Sequence, residues 1–234
     1  SRVLATLSLV EADAVLVTCN GCYLSLREAI HSLREEPKLF DYVRSELSKE
    51  GLTLKGVPRI LHPIELFHDV IGLKKIRESV KGLGNTLVAT HYGCHALRPS
   101  TIPSFDNPKN PHKMENIVEV LGLKTKDYPE RMDCCGATVL ASNPEIAFKL
   151  ALNKILGTSR WGFNLLVTTC PYCFEMLDTK QEAILLAHDY SEPILPVMYL
   201  TQLIGLALGL SERDVALNLN LSPIDKVLPL IMRR

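Results

Sequence analysis

Short apolar runs alternate along the chain with longer segments whose apolar residues recur at helical spacing. Short runs of this kind, rich in β-branched residues, predict buried strands. The predicted strands cover residues 14–18, 59–61, 86–90 and 165–169. The predicted helices cover residues 23–31, 34–50, 65–71, 114–121, 144–156 and 174–186. Because short strands alternate with helices, the pattern indicates an α/β fold built on parallel sheets.

Two segments depart from this alternation. Residues 99–111 hold four prolines and two asparagines, which predicts an irregular segment. The longest apolar stretch, residues 194–210, includes Pro196, Thr201, Gln202 and two glycines. These residues favour a core helix over a membrane span.

The chain contains an internal repeat. The segments AVLVTCNGCYLSL (14–26) and LLVTTCPYCFEML (165–177) share five features: a strand, a Thr before the first Cys, a C-x-x-C, an aromatic residue and a helix. This likeness indicates an internal duplication. Each C-x-x-C is expected at the carboxyl end of a parallel strand, where such sheets bind ligands. The helix that follows favours thiolate over thiol through its positive terminus.

Five of the seven cysteines form one spaced pattern: Cys94, then after thirty-nine residues Cys134-Cys135-Gly136, then after thirty-four residues Cys170-Pro-Tyr-Cys173. Buried free thiols do not explain adjacent cysteines that pair with a distant C-x-x-C, since Ala or Val would pack as well. Five thiolates are one more than a tetrahedral zinc ion needs. An iron–sulfur cluster is therefore the favoured interpretation, and a zinc site that uses four of the five is the alternative.

Composition narrows the functional classes. The 234-residue chain has 26 basic and 26 acidic side chains, so it has no overall basic field for nucleic acid. The odd cysteine count and the chain length argue against a disulfide framework. Residues 1–13 are too short and too polar for a signal peptide. A reducing cytoplasmic location is expected, with no transmembrane segment.

The cysteine pattern resembles that of the cysteine-rich CCG domain family. The spacing matches almost completely, with the second gap one residue short. The family includes the B-type subunit of heterodisulfide reductase and subunits linked to quinones or to hydroxy-acid oxidation. The sequences HYGCH (91–95), LRP (97–99) and PVMYLTQLIGLALG (196–209) look most like this heterodisulfide reductase branch.

In that family two CCG motifs occur in tandem, and each can hold a non-cubane [4Fe-4S] cluster on five cysteines. The resemblance implies two pseudo-symmetric modules with short parallel sheets flanked by helices. The second motif, defined here as the five spaced cysteines, is intact. The first motif consists only of Cys19 and Cys22, so roughly 60 upstream residues are expected to be missing. Residues 1–83 are then the C-terminal part of the first module, and residues 84–234 are the second module with a helical extension.

The resemblance also implies roles for individual residues. The five cysteines of the second motif would be catalytic through their bound cluster. Cys19 and Cys22 would ligate a second [4Fe-4S] cluster if upstream cysteines are present. From the residue types themselves, Arg98 is a candidate for binding an anionic substrate group, with a solvated loop arginine as the alternative, and His95 is a candidate for contacting substrate. His91 and His95 flank Cys94, where histidine acts as a metal ligand or, more commonly, as a core or outer contact.

The implied function is that of a catalytic iron–sulfur subunit in a heterodisulfide reductase-like complex. Such a subunit reduces, or forms, a disulfide between two small thiols. The chain has no C-x-x-C-x-x-C-x-x-x-C run and no Gly-rich dinucleotide fingerprint. The expected partner is therefore an iron–sulfur subunit that donates electrons, which a flavin-containing subunit supplies in turn.

Two alternatives remain open at this point. The first is an electron-relay subunit of a quinone-linked or hydroxy-acid oxidoreductase. The second is a zinc-stabilised interaction module without enzymatic activity. Metal content separates the zinc module from the other two functions, and the choice of acceptor separates the remaining pair.

Overall fold

Two small parallel sheets organise the protein. A computed structural model describes residues 1–10, 12–54, 56, 59–191 and 194–232. In the first sheet, β1 (Ala14–Leu16) pairs with β2 (Arg59–Leu61). In the second sheet, the order is β3 (Val88–His91), β4 (Leu165–Thr168), β5 (Val197–Tyr199). The predicted α/β class, with short parallel sheets flanked by helices, is confirmed.

Helices account for most of the remaining regular structure. The α-helices are α1 (Arg2–Leu7), α2 (Asn20–Glu35), α3 (Pro37–Lys49), α4 (Pro63–Glu65), α5 (Leu73–Ser79), α6 (Cys94–Leu97), α7 (Lys113–Val120), α8 (Pro144–Arg160), α9 (Pro171–Phe174), α10 (Gln181–Leu186), α11 (Leu200–Leu208) and α12 (Leu228–Ile231). Residues 99–111 contain no helix or strand, as their prolines predicted. Within the parts of the chain described above, no helix combines the length and the apolarity needed to cross a bilayer.

Three predicted helices need correction. The segment 65–71 lies almost entirely in a π-helical turn, Leu66–Gly72, between α4 and α5. The segment 174–186 contains a second π-helical turn, Glu175–Thr179, between α9 and α10. The apolar stretch 194–210 is not one helix, because its first residues pair with β4 as strand β5 and only then enter α11. A short, fully apolar run satisfies either element, and here the sheet edge decides between them.

The two halves repeat one local geometry. Cys19 is the N-cap of α2 with φ −92° and ψ 121°, and Cys170 is the N-cap of α9 with φ −97° and ψ 124°. A second pair of positions also corresponds. His62 follows β2 and forms a capping box with Glu65. Tyr199 ends β5 and forms a capping box with Gln202. The predicted strand–C-x-x-C–helix unit therefore occurs twice.

One apolar core joins the two sheets. It packs Ile60 and Ile64 of the first half against Val88, Val167 and Met198 of the second. A second cluster of buried residues lies beneath the cysteines, between α8 and the π-helical turn after α9. The carboxyl ends of the strands are thereby fixed relative to one another, which is a requirement for a site built from several loops.

Candidate metal centre

The five cysteines of the second motif converge. Cys94 begins α6 directly after β3, the Cys134-Cys135 pair follows a 3₁₀ turn (Pro129–Met132), and Cys170 and Cys173 lie at the start of α9. In the order Cys94, Cys134, Cys135, Cys173, Cys170, each thiol shifts the pKa of the next, so the five lie side by side. The sulfur atoms of Cys135 and Cys173 lie 3.3 Å apart. Residues separated by almost eighty positions thus form one sulfur-lined site.

Two glycines make this approach possible. Gly93 has φ +75°, and a Cβ there would collide with the Asn20 amide and lie 3.1 Å from the Cys173 sulfur. Gly136 has φ +83°, and a Cβ there would collide with the backbone carbonyl of Ala147. The Gly136 N–H also donates to the Cys134 sulfur over 3.3 Å. Only glycine fits both backbone positions without strain.

The thiols cannot all ionise by themselves. Hydrogen bonds from the Cys135 and Cys94 thiols hold the pKa of Cys134 well below its ordinary value. Because Cys94 and Cys135 donate to the Cys134 sulfur, they hold their own protons more tightly, and their pKa values are raised. Hydrogen bonding to Cys135 raises the pKa of Cys173 in the same way. Because like charges at this separation repel strongly, five thiolates need a compensating cation. The donor set therefore fits a polynuclear metal centre.

A buried lysine lies behind the cysteine pair. Lys154 of α8 is fully buried, and its Nζ donates to the backbone carbonyls of Glu130 and Arg131, the latter over 2.9 Å. Burial lowers the pKa of Lys154 to about 7, against the opposing fields of Asp133 and Cys173. Lys154 thus ties α8 to the turn that leads into Cys134. This residue was not predicted as part of the site, although a lysine within an apolar helix was a visible signal.

A buried ion pair fixes the strand and the loop that carry the cysteines. Glu115 of α7 accepts hydrogen bonds from Thr90 and Tyr92, each 2.6 Å, and from Arg131 at 2.9 Å. Thr90 and Tyr92 belong to the segment that ends at Cys94, and Arg131 precedes the Cys134-Cys135 pair. One carboxylate therefore holds together the segment that leads to Cys94 and the loop that leads to the Cys134-Cys135 pair.

The first motif lies on the Cys170 side of the second motif. Cys19 is partly buried and Cys22 is exposed, and burial raises the pKa of the Cys19 thiol. His95 lies beside this motif, since a Cβ on Gly21 would be 3.8 Å from its ring. Arg98 is exposed and borders a small cleft next to Cys94. The structure thus places His95 beside the first motif and Arg98 at a cleft beside Cys94 of the second.

Asn20 connects the first motif to the second. Its amide donates to the Tyr92 carbonyl over 2.6 Å and accepts from the ring of His62 over 2.9 Å. Its backbone N–H faces the Cys170 sulfur, whose pKa is lowered to about 6, chiefly by the Cys173 thiol. One residue between Cys19 and Cys22 thus contacts a cysteine of the other motif. The local C-x-x-C pattern gave no sign of this contact.

Comparison with known proteins places this geometry in a family. The CCG family, described as a cysteine-rich domain, matches residues 88–178. The B-type subunit of ferredoxin:CoB-CoM heterodisulfide reductase from Methanosarcina mazei is 32% identical over 88% of this chain and 69% of its own length. A protein from Archaeoglobus profundus, named as similar to the same heterodisulfide reductase subunit, is 32% identical over 93% of this chain and 74% of its own.

The chain belongs to the family of heterodisulfide reductase B-type subunits. This confirms the resemblance that the cysteine spacing predicted. The family also contains a relative whose name states another role. The 8-methylmenaquinol:fumarate reductase membrane anchor subunit of Wolinella succinogenes is 31% identical over 91% of this chain and 74% of its own length. Membership therefore supports an iron–sulfur redox subunit without fixing its substrate.

A solved structure supports the fold of this family member. A hypothetical protein from Helicobacter pylori aligns with a TM-score of 0.61 at 16% identity. The alignment covers 86% of the present chain and 36% of that chain. At this identity the likeness concerns the α/β fold alone.

Asn20 offers a first test of the link between the two motifs in this family member. We expect Asn20→Ala to destabilise the protein by about 2–4 kcal/mol, because it removes the hydrogen bonds of the Asn20 amide to the buried Tyr92 carbonyl and to His62 Nε2. The matched control is Asn218→Ala at an exposed position, with an expected change of about 0.5 kcal/mol or less. Anaerobic urea unfolding measures both. Equal effects of the two substitutions would show that Asn20 does not join the halves.

The buried side chain of His62 predicts that the folded protein loses stability in acid. Burial lowers its pKa to about 3. The unfolded chain takes up this proton near pH 6.5 and the folded chain does not, so the free energy of unfolding falls as the pH drops. Between pH 7 and pH 5 the loss from His62 is about 2 kcal/mol. Urea unfolding of wild type and His62→Gln at both values measures it, and parallel pH slopes would contradict the prediction.

Proposed function

We propose that this chain is the catalytic iron–sulfur subunit of a heterodisulfide reductase-like complex, which reduces or forms a disulfide between two small thiols. The observation that carries the proposal is the convergence of five cysteines beside the carboxyl ends of β3 and β4. A repeat of the strand–C-x-x-C unit stands beside it. Two halves of a disulfide call for two adjacent sites, and the repeat supplies both positions.

The donor set supports a non-cubane [4Fe-4S] cluster on the second motif. A cluster bound there would supply one-electron transfer and iron positions able to bond a thiolate sulfur. Cys19 and Cys22 alone offer two thiolates, so a second cluster requires further cysteines. We assign residues 1–83 to the first module and residues 84–234 to the second, as the repeat implies. Zinc on four of the cysteines is the alternative cofactor.

A cavity between the repeats is the proposed substrate site. Its volume is 220 Å³, and its lining residues are Thr18, Pro63, Thr169, Pro171, Tyr199 and Thr201. Thr18 and Thr169 directly precede the first cysteine of each C-x-x-C. Burial raises the pKa of Tyr199 to about 12, so its hydroxyl stays protonated and can donate a hydrogen bond. The cavity thus combines apolar walls with hydroxyl groups, as a site for a small thiol requires.

Partners and location follow from the proposed role. An iron–sulfur subunit would deliver electrons, and a flavin-containing subunit would supply that partner. The relatives from Methanosarcina mazei and Wolinella succinogenes are named as subunits of reductases, which supports assembly into a complex. A cytoplasmic location is proposed because reduced thiols persist there.

Disulfide turnover tests the function. The anaerobically purified protein receives electrons from a reduced viologen dye, and oxidation of the dye is followed with and without a small mixed disulfide. We expect dye oxidation that depends on the disulfide and yields free thiols. Added thiol should also alter the paramagnetic signal of the oxidised protein. Dye oxidation by a quinone analogue, with none by any disulfide, would overturn the proposal.

Electron relay to a quinone is the second candidate. An apolar groove of 470 Å³ adjoins the second motif and is lined by Ala137, Thr138, Leu140, Ala141, Tyr172, Glu175 and Met176. Tyr172 lies between Cys170 and Cys173. The groove suits the ring of a quinone, and the Wolinella succinogenes relative carries a menaquinol in its name. The acceptor preference in the assay above decides between the two candidates.

A further inference from the structure

His91 stands out among the buried polar residues. It is the last residue of β3 and is 1% exposed, yet neither ring nitrogen has a hydrogen-bond partner among the described residues. Buried polar side chains nearly always have such a partner, and leaving one without costs about 1–3 kcal/mol. An unpartnered imidazole therefore indicates that something else accepts its hydrogen bond.

A second buried histidine provides the internal comparison. His62 is also fully buried, but both of its ring nitrogens are in use. Nε2 contacts the Asn20 amide oxygen at 2.9 Å, and Nδ1 accepts from the Ile64 N–H at 3.3 Å. This fold thus satisfies a buried histidine where the role is structural. His91 lacks such contacts at a position of equal burial.

The surroundings of His91 identify its acceptor. One of its ring nitrogens and the sulfur atoms of Cys135 and Cys173 all lie within 4.8 Å of one another. Two buried sulfurs and one buried nitrogen at this spacing surround a common point. The ring is therefore directed at the same volume as the cysteines of the second motif.

We propose that His91 donates a ring N–H to a sulfur atom of the metal centre held by the second motif. The inference rests on the proposed iron–sulfur function. A hydrogen bond is favoured over direct ligation for two reasons. The five thiolates already supply the donors of the motif, and a ligating histidine normally has its second nitrogen held by a carboxylate, a carbonyl or a water. No protein group does so here among the described residues.

Such a hydrogen bond has a redox consequence. A reduced iron–sulfur centre carries one more negative charge than the oxidised centre, so an N–H donated to sulfur stabilises the reduced form. Hydrogen bonds to the sulfurs are among the determinants of cluster potential. His91 is accordingly a positioning residue that raises the potential without contacting substrate.

Potentiometry of the iron-loaded protein tests this role with three variants. His91→Leu removes the donor, and we expect the one-electron reduction constant to fall about tenfold, which corresponds to a midpoint lower by about 59 mV. His91→Gln keeps an N–H donor and should recover part of the shift. His188→Gln, two residues after α10, controls for loss of a histidine elsewhere and should leave the midpoint unchanged. An unchanged midpoint in His91→Leu overturns the proposal.

Isotope labelling identifies the contact itself. Protein with ¹⁵N-labelled histidine is examined by electron–nuclear double resonance in its paramagnetic reduced state. A weak nitrogen coupling that disappears in His91→Gln and persists in His188→Gln supports the hydrogen bond. A strong coupling, typical of direct ligation, overturns it, and so does the absence of coupling in a wild-type protein that contains a cluster. Zinc without iron would instead overturn the proposed function, and this inference with it.

Discussion

Every single Cys→Ser substitution in the second motif is expected to abolish the iron–sulfur signature. The five positions are Cys94, Cys134, Cys135, Cys170 and Cys173. The five cysteines converge on one site and each shifts the pKa of its neighbour, so all five belong to the expected donor set. Loss of an outer contact alone can cost about 10–100-fold in metal affinity, and loss of a ligand should reduce bound iron by at least about tenfold. Iron analysis and visible absorbance of anaerobic protein measure the effect.

The control for this series is Ala187→Ser, an exposed position after α10 where a new hydroxyl contacts water. It should keep the full signature. A four-ligand site makes a different prediction, because one of the five cysteines would then be dispensable. A single substitution with unchanged metal content would therefore favour a tetrahedral zinc site or a cubane cluster.

Glu115→Ala is expected to destabilise the protein by about 3–5 kcal/mol, the cost of leaving the partner of a buried ion pair without compensation. Glu115 and Arg131 are both buried, and the carboxylate also accepts from Thr90 and Tyr92. Because Arg131 precedes the Cys134-Cys135 pair, the substitution should also weaken iron retention. Anaerobic urea unfolding and iron analysis of the same preparation measure both effects.

Glu119→Ala is the matched control for this prediction, since Glu119 lies on the exposed face of the same helix. Its cost should be about 0.5 kcal/mol or less. A double variant, Glu115→Leu with Arg131→Met, removes both charges and should lose less stability than Glu115→Ala alone. Similar losses for Glu115→Ala and Glu119→Ala would show that the ion pair does not stabilise the fold.

The repeated strand–C-x-x-C–helix unit could be predicted because its signals are local. A β-branched run followed by Thr, Cys and a helical pattern occurs at residues 14–26 and again at 165–177. Both predictions are confirmed, down to matching backbone angles at Cys19 and Cys170. The cysteine spacing was equally informative, since five soft donors have no common role other than metal binding.

Other features of the site depend on tertiary contacts and left no pattern in the sequence. Strand β5 could not be separated from a helix, because its apolar run gains a partner only when β4 lies beside it. The π-helical turns are likewise set by packing. The roles of Glu115 and Lys154 depend on partners that lie sixteen or more positions away. That the buried ring of His91 has no hydrogen-bond partner among the described residues could be learned only from the structure.

Metal and sulfide content of the anaerobically purified protein tests the central claim most directly. A cluster on the second motif predicts about four iron atoms and about four acid-labile sulfides per chain, with little zinc. The expected paramagnetic signal should change when a small thiol is added. Protein that contains one tightly held zinc ion and no iron would contradict the claim and leave the five cysteines as a structural site.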